Sequence, residues 1–600
     1  MHEKLYVKSG KIRGNKTLYA IALILMLAFS AFMAITPSAK AQATTSTPSE
    51  WRELLTSTLD GAYREPAGIT DYPSIASPGN NPSNTGFSAA IGPATGHVLW
   101  RDDIPIYEWQ VKLADNGKIF VSSILDNCLY ALDENTGEVL WIRNNSALER
   151  WSVLDYGLIF TTEGGYPVAI SQNTGLTYWK GDSAGSVYGI APVGEVFWDG
   201  EALFVDYSEY WGAPAITFCY KIQHTSWGVT ISEMWNSSNV QGRLGYKDGK
   251  LYGVLEMNMW VSCVNATTGA LIWNFTGTGD PADHFYPAPV IENGKVYLGT
   301  ENPGTLERVD HVVCLDAETG AYKWTYVTGE YFVESISAAY GNIYIAGGER
   351  NAIHCVDGET GQKKWEYNAP GFIDYYQIQV ADNKLYFNSA GIAVSGFPLP
   401  GTYPGLTNCV DAMTGELIWS YSTPTAATSP MLVDGKLIVS TEEDYIWCHA
   451  KGPTTTSVSV ASSYIASDAS LVISGSVADM SPFSQQHPEL QSPLVAGVPV
   501  VLSYVKDGAW TDFATVNTAS DGTYMSTWNP PSEGAYKVVA RFEGTPSYHW
   551  SSGQAVVQVS PATSAAANSN SGIPVEYFII TVVVFAIAVV AVAVILRRRK

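Results

Sequence analysis

One pentapeptide of this 600-residue sequence has the spacing of a serine nucleophile. Gly181-Asp182-Ser183-Ala184-Gly185 matches G-x-S-x-G, which in hydrolases holds the serine on a sharp strand-to-helix turn. No helical pattern follows these residues, and they come directly after a strand-like run that contains Trp179. The pentapeptide is therefore predicted to be a turn between two sheets, without a catalytic role.

Metal-binding patterns are weak in this sequence. The nine histidines never occur as H-x-x-x-H or H-E-x-x-H, the spacings that place two imidazoles around zinc. His354 lies within an apolar run and is predicted to be a core residue. The stretch from Asp133 to Gly137 resembles a calcium loop but lacks the downstream bidentate glutamate, so it is predicted to be a hairpin turn. We therefore predict neither a metal site nor a catalytic residue.

Five short stretches combine aromatic rings with carboxylates, and each precedes a strand-like run. Such a combination can bind a sugar, a cation or a flat cofactor. The candidate ligand-binding residues are Glu108, Trp109, Glu149, Arg150, Trp151, Asp283, His284, Tyr286, Glu334, Asp374 and Tyr375. The alternative interpretation is that the aromatic residues only fill the interior of the fold.

A repeated phrase identifies the elements that must position these residues. Thr-Gly, three further residues and Trp recur with tryptophans 38 to 56 residues apart, and each copy follows an Asn-Gly or Asp-Gly type of turn between alternating apolar runs. The tryptophans are Trp100, Trp141, Trp179, Trp273, Trp324, Trp365 and Trp419, with a degenerate copy that has lost Thr-Gly and ends at Trp235. Four strands in a repeat of ~40 residues are typical of a β-propeller blade.

The two ends of the repeat region are predicted to complete one another. The first copy, from His97 to Trp100, has no full repeat before it, and the last half-repeat, from Asp434 to Ala450, has no Trp strand after it. Pairing these two pieces would complete an eighth blade and remove exposed strand edges. The eight tryptophans are predicted to dock each blade on its neighbour, since a buried indole covers ~150–250 Å². The sequence thus predicts an eight-bladed β-propeller over residues 85–452.

In such a propeller one face would carry both the candidate residues and the longest insertions. The links between blades and the loops between second and third strands open on the same face, around the central channel. Three insertions fall there, around Tyr207–Pro214, Asn302–Asp310 and Ala390–Leu406. Loops on a rigid scaffold commonly carry function, so this face is the predicted ligand-binding site.

The repeat resembles the tryptophan-docking repeat of the pyrroloquinoline quinone (PQQ) propeller family. The copy that runs from Ala131 to Trp141 reads A-L-D-E-N-T-G-E-V-L-W, against the family pattern A-x-D-x-x-T-G-x-x-x-W. The resemblance implies the propeller fold, and it is compatible with two activities because the family contains alcohol dehydrogenases and non-catalytic scaffolds. The dehydrogenases typically show a vicinal Cys-Cys pair, with calcium-binding Glu and Asn near a base Asp. This sequence has no Cys-Cys pair, and no catalytic residue is carried over from the family.

The phase of the cysteines within the repeat argues against disulfide bonds. Equivalent positions of neighbouring blades are too far apart for a disulfide, which needs a Cα separation of ~4.4–6.8 Å. The cysteines are predicted to be small buried residues in place of alanine. Four cysteines lie five residues before the motif Thr, namely Cys263, Cys314, Cys355 and Cys409. Two more, Cys219 and Cys448, occupy the same strand of their own blades. The seventh, Cys128, is out of phase.

Residues 454–560 have a different pattern, in which short apolar runs alternate with turn residues. About seven short strands in ~100 residues predict an immunoglobulin-like β-sandwich. The strand-like runs are Leu471–Val477, Val498–Tyr504, Phe513–Val516, Tyr524–Trp528, Tyr536–Phe542 and Ala555–Val559.

Both ends of the chain carry membrane-targeting patterns. Residues 1–41 combine a basic start, an apolar run and Ala39-Lys40-Ala41, which predicts a signal peptide cleaved after Ala41, with an uncleaved anchor as the alternative. Residues 42–84 would be an extension and 561–574 a linker. Residues 575–596 are predicted to be a single transmembrane helix, and the basic tail 597–600 is predicted to be cytoplasmic. The propeller and the sandwich would then be extracellular at the cell membrane.

Two functions fit these predictions. A net charge of −23 disfavours nucleic acid as a partner. The preferred hypothesis is a non-catalytic binding or scaffold module at the cell surface, without a cofactor, whose partners are the membrane and a surface protein or a glycan. The alternative hypothesis is a PQQ-dependent oxidoreductase acting on alcohols or sugars, with PQQ and calcium as cofactors.

Overall fold

The computed structural model describes most of residues 83–562. The gaps are 105–111, 124–125, 145–151, 156, 164–165, 182–192, 199–201, 209–214, 226–227, 255–259, 279–284, 286, 301–309, 330–332, 348–350, 374–377, 391–404, 426, 428–429 and 442–444. The predicted signal peptide, the transmembrane helix and residues 42–82 of the predicted extension lie outside the described residues. Residues 83 and 84, the last two of that extension, bind two sheets of the repeat region, so this end of the extension is part of the sheet assembly. Within the described part, the single helix α1 (Pro482–Gln486) is too short to cross a bilayer, and no helix there meets that requirement.

The described residues before 450 form eight sheets of antiparallel strands, to which two short strands are added. In chain order the first strands are β1 (Phe87–Ser88) and β2 (Val98–Asp103). Sheet I contains β3 (Lys112–Asp115), β4 (Lys118–Ser123), β5 (Cys128–Asp133) and β6 (Val139–Asn144). Sheet II contains β7 (Val153–Asp155), β8 (Leu158–Glu163), β9 (Tyr166–Ser171) and β10 (Thr177–Lys180). Sheet III contains β11 (Val193–Trp198), β12 (Ala202–Ser208), β13 (Ala215–Thr225) and β14 (Gly228–Ser237).

The next three sheets repeat this order. Sheet IV contains β15 (Arg243–Lys247), β16 (Lys250–Val254), β17 (Val261–Asn265) and β18 (Leu271–Phe275). Sheet V contains β19 (Val290–Glu292), β20 (Lys295–Gly299), β21 (His311–Asp316) and β22 (Tyr322–Val327). Sheet VI contains β23 (Val333–Ala339), β24 (Asn342–Gly347), β25 (Ala352–Asp357) and β26 (Lys363–Asn368).

The last two sheets include strands from elsewhere in the chain. Sheet VII contains β28 (Gln379–Ala381), β29 (Lys384–Ala390), β30 (Gly405–Asp411) and β31 (Leu417–Thr423), with β27 (Phe372–Ile373) and β1 added. Sheet VIII contains β32 (Met431–Val433), β33 (Lys436–Ser440) and β34 (Tyr445–His449). Its fourth strand is β2, which pairs antiparallel with β34. The predicted pairing of the first repeat copy with the last half-repeat is therefore confirmed.

Each of the eight sheets packs on the next through its own apolar cluster. The clusters join sheets I and II, II and III, and so on to VII and VIII. An eighth cluster, which includes Trp100 and Ile438 from sheet VIII and Ile119 and Leu132 from sheet I, joins the last sheet to the first. The architecture is all-β and consistent with a β-propeller.

Two-residue turns connect the first and second strands of sheets I, IV, V, VI, VII and VIII. In Asn116-Gly117, Asp248-Gly249 and Asn293-Gly294 both residues have positive φ, with values between 50° and 76°. Such turns match the right-handed twist of the strands that they join, and Asn, Asp and Gly adopt positive φ most easily. We call the end of each sheet at which this turn lies the hairpin end. The opposite end, where the first strand begins and where the second strand is followed by the loop to the third, is called the loop end.

A tryptophan on the fourth strand lies against the Thr-Gly turn of the next sheet. Trp273 donates from Nε1 to the carbonyl oxygen of Ala317 at 3.0 Å. A Cβ on Gly320, whose φ is 71°, would lie 2.7 Å from this indole, so only glycine fits there. Equivalent bonds run from Trp100 to Glu134 at 2.8 Å, from Trp141 to Gln172 and from Trp235 to Ala266 at 3.0 Å, and from Trp365 to Ala412 at 3.2 Å.

The remaining docking tryptophans use variants of this contact. Trp324 lies against Gly361, where a Cβ would be 2.8 Å from the ring. Trp419 donates to the carbonyl oxygen of Pro93 at 3.1 Å, so its acceptor comes from the start of the repeat region. Trp179 lies next to sheet III, which has no Thr-Gly turn, and its ring is 5.7 Å from that of Tyr220.

A long hairpin takes the place of the missing Thr-Gly turn in sheet III. Strands β13 and β14 extend beyond Ala202, the first residue of β12, which pairs with Lys221. The pairs from Ile222–Ile231 to Thr225–Gly228 therefore have no partner on β12. The hydroxyl of Tyr178 in sheet II accepts a bond from the backbone N–H of Val229 at 2.8 Å. The hairpin therefore contacts the outer strand of sheet II, at Tyr178, in place of the shorter turn.

Residues beyond 453 form two further sheets that pack face to face. Sheet IX contains β35 (Thr454–Thr456), β36 (Ser459–Val460), β38 (Leu471–Asp479) and β41 (Thr523–Trp528). Sheet X contains β37 (Tyr464–Ala466), β39 (Pro499–Lys506), β40 (Ala509–Asn517), β42 (Gly534–Phe542) and β43 (Ser551–Ser560). Two apolar clusters fill the space between these sheets. Each of the six predicted strand-like runs overlaps one of the observed strands.

Candidate functional site

The candidate ligand-binding residues belong to the loop end of the sheets by their position in the chain. The strands that follow them, β3, β7, β19, β23 and β28, each begin at that end. Glu334 lies within β23, and its side chain is outside what the structure describes. The other ten residues also lie outside the described residues, as do Asp182 to Gly185 of the G-x-S-x-G pentapeptide.

Buried polar side chains hold neighbouring sheets together close to this end. The hydroxyl of Ser335 on β23 accepts a bond from the backbone N–H of Ile378 at 3.0 Å, which ties sheet VI to sheet VII. The hydroxyl of Ser152 donates to that of Thr161 at 2.7 Å within sheet II. One of these hydrogen bonds therefore joins two neighbouring sheets near the loop end, and the other lies within a single sheet.

Asp206 is a buried carboxylate at the loop end that the sequence did not single out. It accepts bonds from the hydroxyl of Thr217 at 2.7 Å and from the backbone N–H of Gly242 at 3.0 Å. Burial raises the pKa of Asp206 to about 7, and these two bonds only partly oppose the increase. Because Gly242 precedes sheet IV, the contact joins sheets III and IV, which is a structural role.

The hairpin end is occupied by the segment 83–93, which lies along the first strands of four sheets. The side-chain amide of Asn84 donates to the carbonyl oxygens of Leu244 at 2.8 Å and Pro289 at 3.1 Å, between sheets IV and V. The backbone then accepts bonds from Ala338 of sheet VI at Thr85 and from Val380 of sheet VII at Gly86, at 2.7 and 2.8 Å. Sequence patterns did not reveal this contact, because it consists mostly of backbone bonds.

Glycine is required where this segment passes sheet VI. A Cβ on Gly86 would lie 2.2 Å from the hydroxyl of Ser337, and the φ of Gly86 is 63°. Ser83, Asn84 and Thr85 are all buried. The segment is thus packed against the first strands of four of the eight sheets.

The other sequence motifs occupy structural positions. The carboxylate of Asp133 accepts bonds from the backbone N–H groups of Asn135 and Thr136 at 2.9 Å, so this motif closes a hairpin turn. His354 is buried in β25, and its Nδ1 is 3.1 Å from the hydroxyl of Tyr326. In the part of the chain that the structure describes, no three His, Cys, Asp or Glu side chains are grouped so as to hold a metal ion.

All seven cysteines are buried and none forms a disulfide bond, which confirms the prediction from their phase. Cys263, Cys314, Cys355 and Cys409 lie on third strands, each opposite the docking tryptophan of its own sheet. In sheet I the same position is Ala131, opposite Trp141. A small side chain is needed there because the indole occupies the neighbouring space.

The thiols are expected to be unreactive in the folded protein. Burial raises the pKa of Cys263, Cys314 and Cys355 to about 12, so almost no thiolate is present at pH 8. Ellman's reagent should therefore titrate none of the seven thiols in buffer and all of them in denaturant. A Ser552→Cys variant supplies an exposed thiol as a positive control. Reaction of a native thiol as fast as in denaturant would contradict the prediction.

Part of the repeat region matches a protein-family model. The family model described as outer membrane protein assembly factor BamB matches residues 87–212 and 226–371. A polyvinylalcohol dehydrogenase of Sphingopyxis sp. (strain 113P3) is 23% identical over 216 residues, which are 29% of this chain and 32% of that protein. The match thus spans less than two thirds of the length of that relative.

Solved structures of similar shape have low sequence identity to this chain. A europium-containing methanol dehydrogenase is 13% identical, with a TM-score of 0.47 over 62% of this chain and 90% of that one. BamB from Moraxella catarrhalis is also 13% identical, with a TM-score of 0.41 over 58% of this chain and 97% of that one. The family match includes seven of the eight docking tryptophans, which supports the resemblance of the repeat to the PQQ-like β-propeller repeat family.

Proposed function

We propose that this chain is a membrane-anchored, extracellular binding or scaffold module without catalytic activity. Its binding domain would be an eight-bladed β-propeller, in which sheets I to VIII are the blades. The cyclic order of the eight apolar clusters supports this blade count. The pair of sheets beyond residue 453 would be an immunoglobulin-like sandwich, and residues 575–596 would be the membrane anchor.

The observation that carries the binding function is the position of the segment 83–93. It lies along the first strands at the hairpin end, so the opposite end is the one where a ligand can reach the centre of the propeller. The three insertions and the five aromatic and acidic stretches all belong to that opposite end by their place in the chain. This distribution supports a single binding face, because loops on a rigid scaffold are where binding residues concentrate.

The chemistry of the stretches favours a neutral glycan or a surface protein as the ligand. Aromatic rings present apolar faces to sugar rings or to protein side chains, and carboxylates accept bonds from hydroxyl groups. A net charge of −23 opposes the binding of phosphate polymers. No cofactor is required for this function.

An array of neutral oligosaccharides, probed with the full-length chain, tests the proposal. The double variant Trp109→Ala, Trp151→Ala should lose about tenfold or more in affinity, since aromatic residues dominate such contacts. Trp550→Ala is the matched control, because Trp550 is 52% exposed on the sandwich. Equal binding by the double variant would reject the proposed face, and the absence of any bound saccharide would reject a glycan as the ligand.

A PQQ-dependent oxidoreductase is the second candidate, favoured by the partial match to a polyvinylalcohol dehydrogenase. The absence of a Cys-Cys pair from the sequence weighs against it. Titration of the full-length chain with PQQ and calcium, followed by absorbance, should show no stoichiometric binding. Saturable binding at one equivalent, with oxidation of an alcohol, would overturn the non-catalytic proposal in favour of the enzyme.

A further inference from the structure

In sheet VIII, unlike in sheets I to VI, the cycle of sheets can open by the separation of two strands that are far apart in the sequence. No unit of four consecutive strands has to unfold for this. Strand β2 of sheet VIII comes from before the first repeat, whereas β32, β33 and β34 come from the end of the last repeat. Sheets I to VI are each made of four consecutive strands. The stability of the closed cycle therefore depends on what holds β2 in place.

The sandwich covers the outer side of β2, which is exposed in the equivalent strand of sheet I. The sequence from Gly96 to Trp100 is G-H-V-L-W, and the one from Gly137 to Trp141 is G-E-V-L-W. Val98 and Leu99 are 0% and 5% exposed, while Val139 and Leu140 are 42% and 47% exposed. Because the apolar residues are the same, the difference arises from what packs against each strand.

One glutamine of the sandwich pairs with the backbone of β2 in both directions. The side-chain oxygen of Gln491 accepts the backbone N–H of Val98 at 3.0 Å, and its nitrogen donates to the carbonyl oxygen of Val98 at 2.8 Å. These backbone groups lie on the outer edge of the sheet, where a further strand would otherwise pair. Gln491 thus satisfies the edge of the closing strand.

A buried histidine and aspartate form the polar centre of this contact. His97 contacts the carbonyl oxygen of Ala450 through Nδ1 at 2.9 Å and the carboxylate of Asp479 through Nε2 at 3.0 Å. Since a carbonyl oxygen only accepts, Nδ1 must carry a hydrogen. The contact between Nε2 and the carboxylate of Asp479 then requires one further proton, which lies between these two groups. Asp479 also accepts from the backbone N–H of Ser481 at 2.9 Å.

The electrostatics agree with an ionised aspartate in this pair. Burial raises the pKa of Asp479, but hydrogen bonds from His97 and Ser481 outweigh it and hold the pKa below its usual value. Two other titratable groups face the histidine. The ring of Tyr548 lies edge-on at 5.0 Å, and His449, whose pKa burial lowers to about 4, is the neighbour on β34.

An aromatic and cationic contact flanks the polar centre. Phe483 of α1 is 1% exposed, and its ring centroid is 5.6 Å from that of Trp447 on β34. The guanidinium of Arg101, at the middle of β2, lies 4.4 Å from the ring centroid of Tyr445 and 5.7 Å from that of Phe483. The sandwich therefore contacts both strands whose pairing closes the cycle.

We propose that the sandwich is a clasp that keeps sheets I to VIII closed by holding β2 against β34. His97 selects the sheet on which the sandwich docks. The residue after the motif Gly in the other repeats is Glu138, Leu176, Ala270, Ala321, Gln362 or Glu416, and none of these can donate to Asp479 through a ring nitrogen. Glutamate at this place would set two carboxylates against each other in a buried contact.

The variant His97→Glu, made in the full-length chain, tests the clasp by hydrogen exchange. It gives residues 96–100 the same sequence, G-E-V-L-W, as residues 137–141 of sheet I. Exchange of the Val98–Asp103 amides should become on the order of 100-fold faster, because breaking one partner of a buried pair shifts opening equilibria by powers of ten. The strands of sheets IX and X should keep their protection. Glu138→His, at the exposed equivalent position, is the control and should change neither region.

Unchanged protection of β2 in a folded His97→Glu protein would overturn the proposal. If that variant does not fold, Gln491→Ala decides, because it removes the side-chain amide that pairs with Val98 and that also lies 3.1 Å from Nε2 of His97 and 3.4 Å from the carboxylate of Asp479, and it leaves both of these residues in place. The expected result is a roughly tenfold faster exchange confined to the first residues of β2. Equal exchange in this variant and the unaltered chain would overturn the clasp as well.

Discussion

Replacing Trp273 with alanine is expected to lower the free energy of unfolding by about 3–5 kcal/mol. The indole is 8% exposed, lies between sheets IV and V, and supplies the donor for the carbonyl oxygen of Ala317. Its loss would leave a cavity beside Gly320 and an unpaired carbonyl at once. Chemical denaturation of the full-length chain, followed by tryptophan fluorescence, measures this difference.

The control for this prediction is a tryptophan that docks nothing. Trp550 is 52% exposed, and Trp550→Ala should change the stability by no more than about 0.5 kcal/mol. Equal losses in the two variants would mean that the effect comes from removing an indole as such. A loss below about 1 kcal/mol at Trp273 would contradict the importance of the docking contact between these sheets.

Replacing Asn84 with alanine is expected to cost about 2–4 kcal/mol of unfolding free energy. Its side-chain amide is the donor to two carbonyl oxygens, those of Leu244 and Pro289, and each would be left without this partner in a buried place. The φ of Asn84 is 54°, a conformation that alanine adopts less easily. The measurement is the midpoint of denaturation, together with protease cleavage before residue 93.

Asn116→Ala separates the two causes of this loss. Asn116 has a φ of 52° but lies exposed in the first hairpin of sheet I, where it bonds only to the neighbouring Asp115. Its replacement should cost about 1 kcal/mol, which is the backbone contribution alone. If Asn84→Ala lowered the free energy of unfolding by no more than Asn116→Ala, the hydrogen bonds of Asn84 to sheets IV and V would contribute nothing to stability.

The repeat made most of the fold predictable from local patterns. Asn-Gly and Asp-Gly turns, alternating apolar runs and the phase of Trp and Cys each depend on neighbours within one sheet, so a single copy already contains their signal. The pairing of β2 with β34 could be predicted because the repeat was incomplete at both ends. The burial of the cysteines and their lack of disulfide bonds followed from the same phase.

Contacts between unlike segments left no such signal. The long hairpin of sheet III had lost the Thr-Gly turn, and nothing in its residues showed that it would contact Tyr178 of sheet II. The segment 83–93 binds mainly through backbone groups, which every residue possesses. The candidate residues around Trp109 and Trp151 remain a prediction from residue type and position.

The sequence by itself determined the sheets, their order and the residues that dock them, because each of these depends on spacing within one repeat. Tertiary structure alone decided that Val98 and Leu99 are buried while Val139 and Leu140, with the same neighbours in sequence, are exposed. The physical reason is that burial depends on which surface arrives from elsewhere in the chain. Here a histidine paired with Asp479 brings the sandwich to one outer strand, and a glutamate stands at the equivalent place on another.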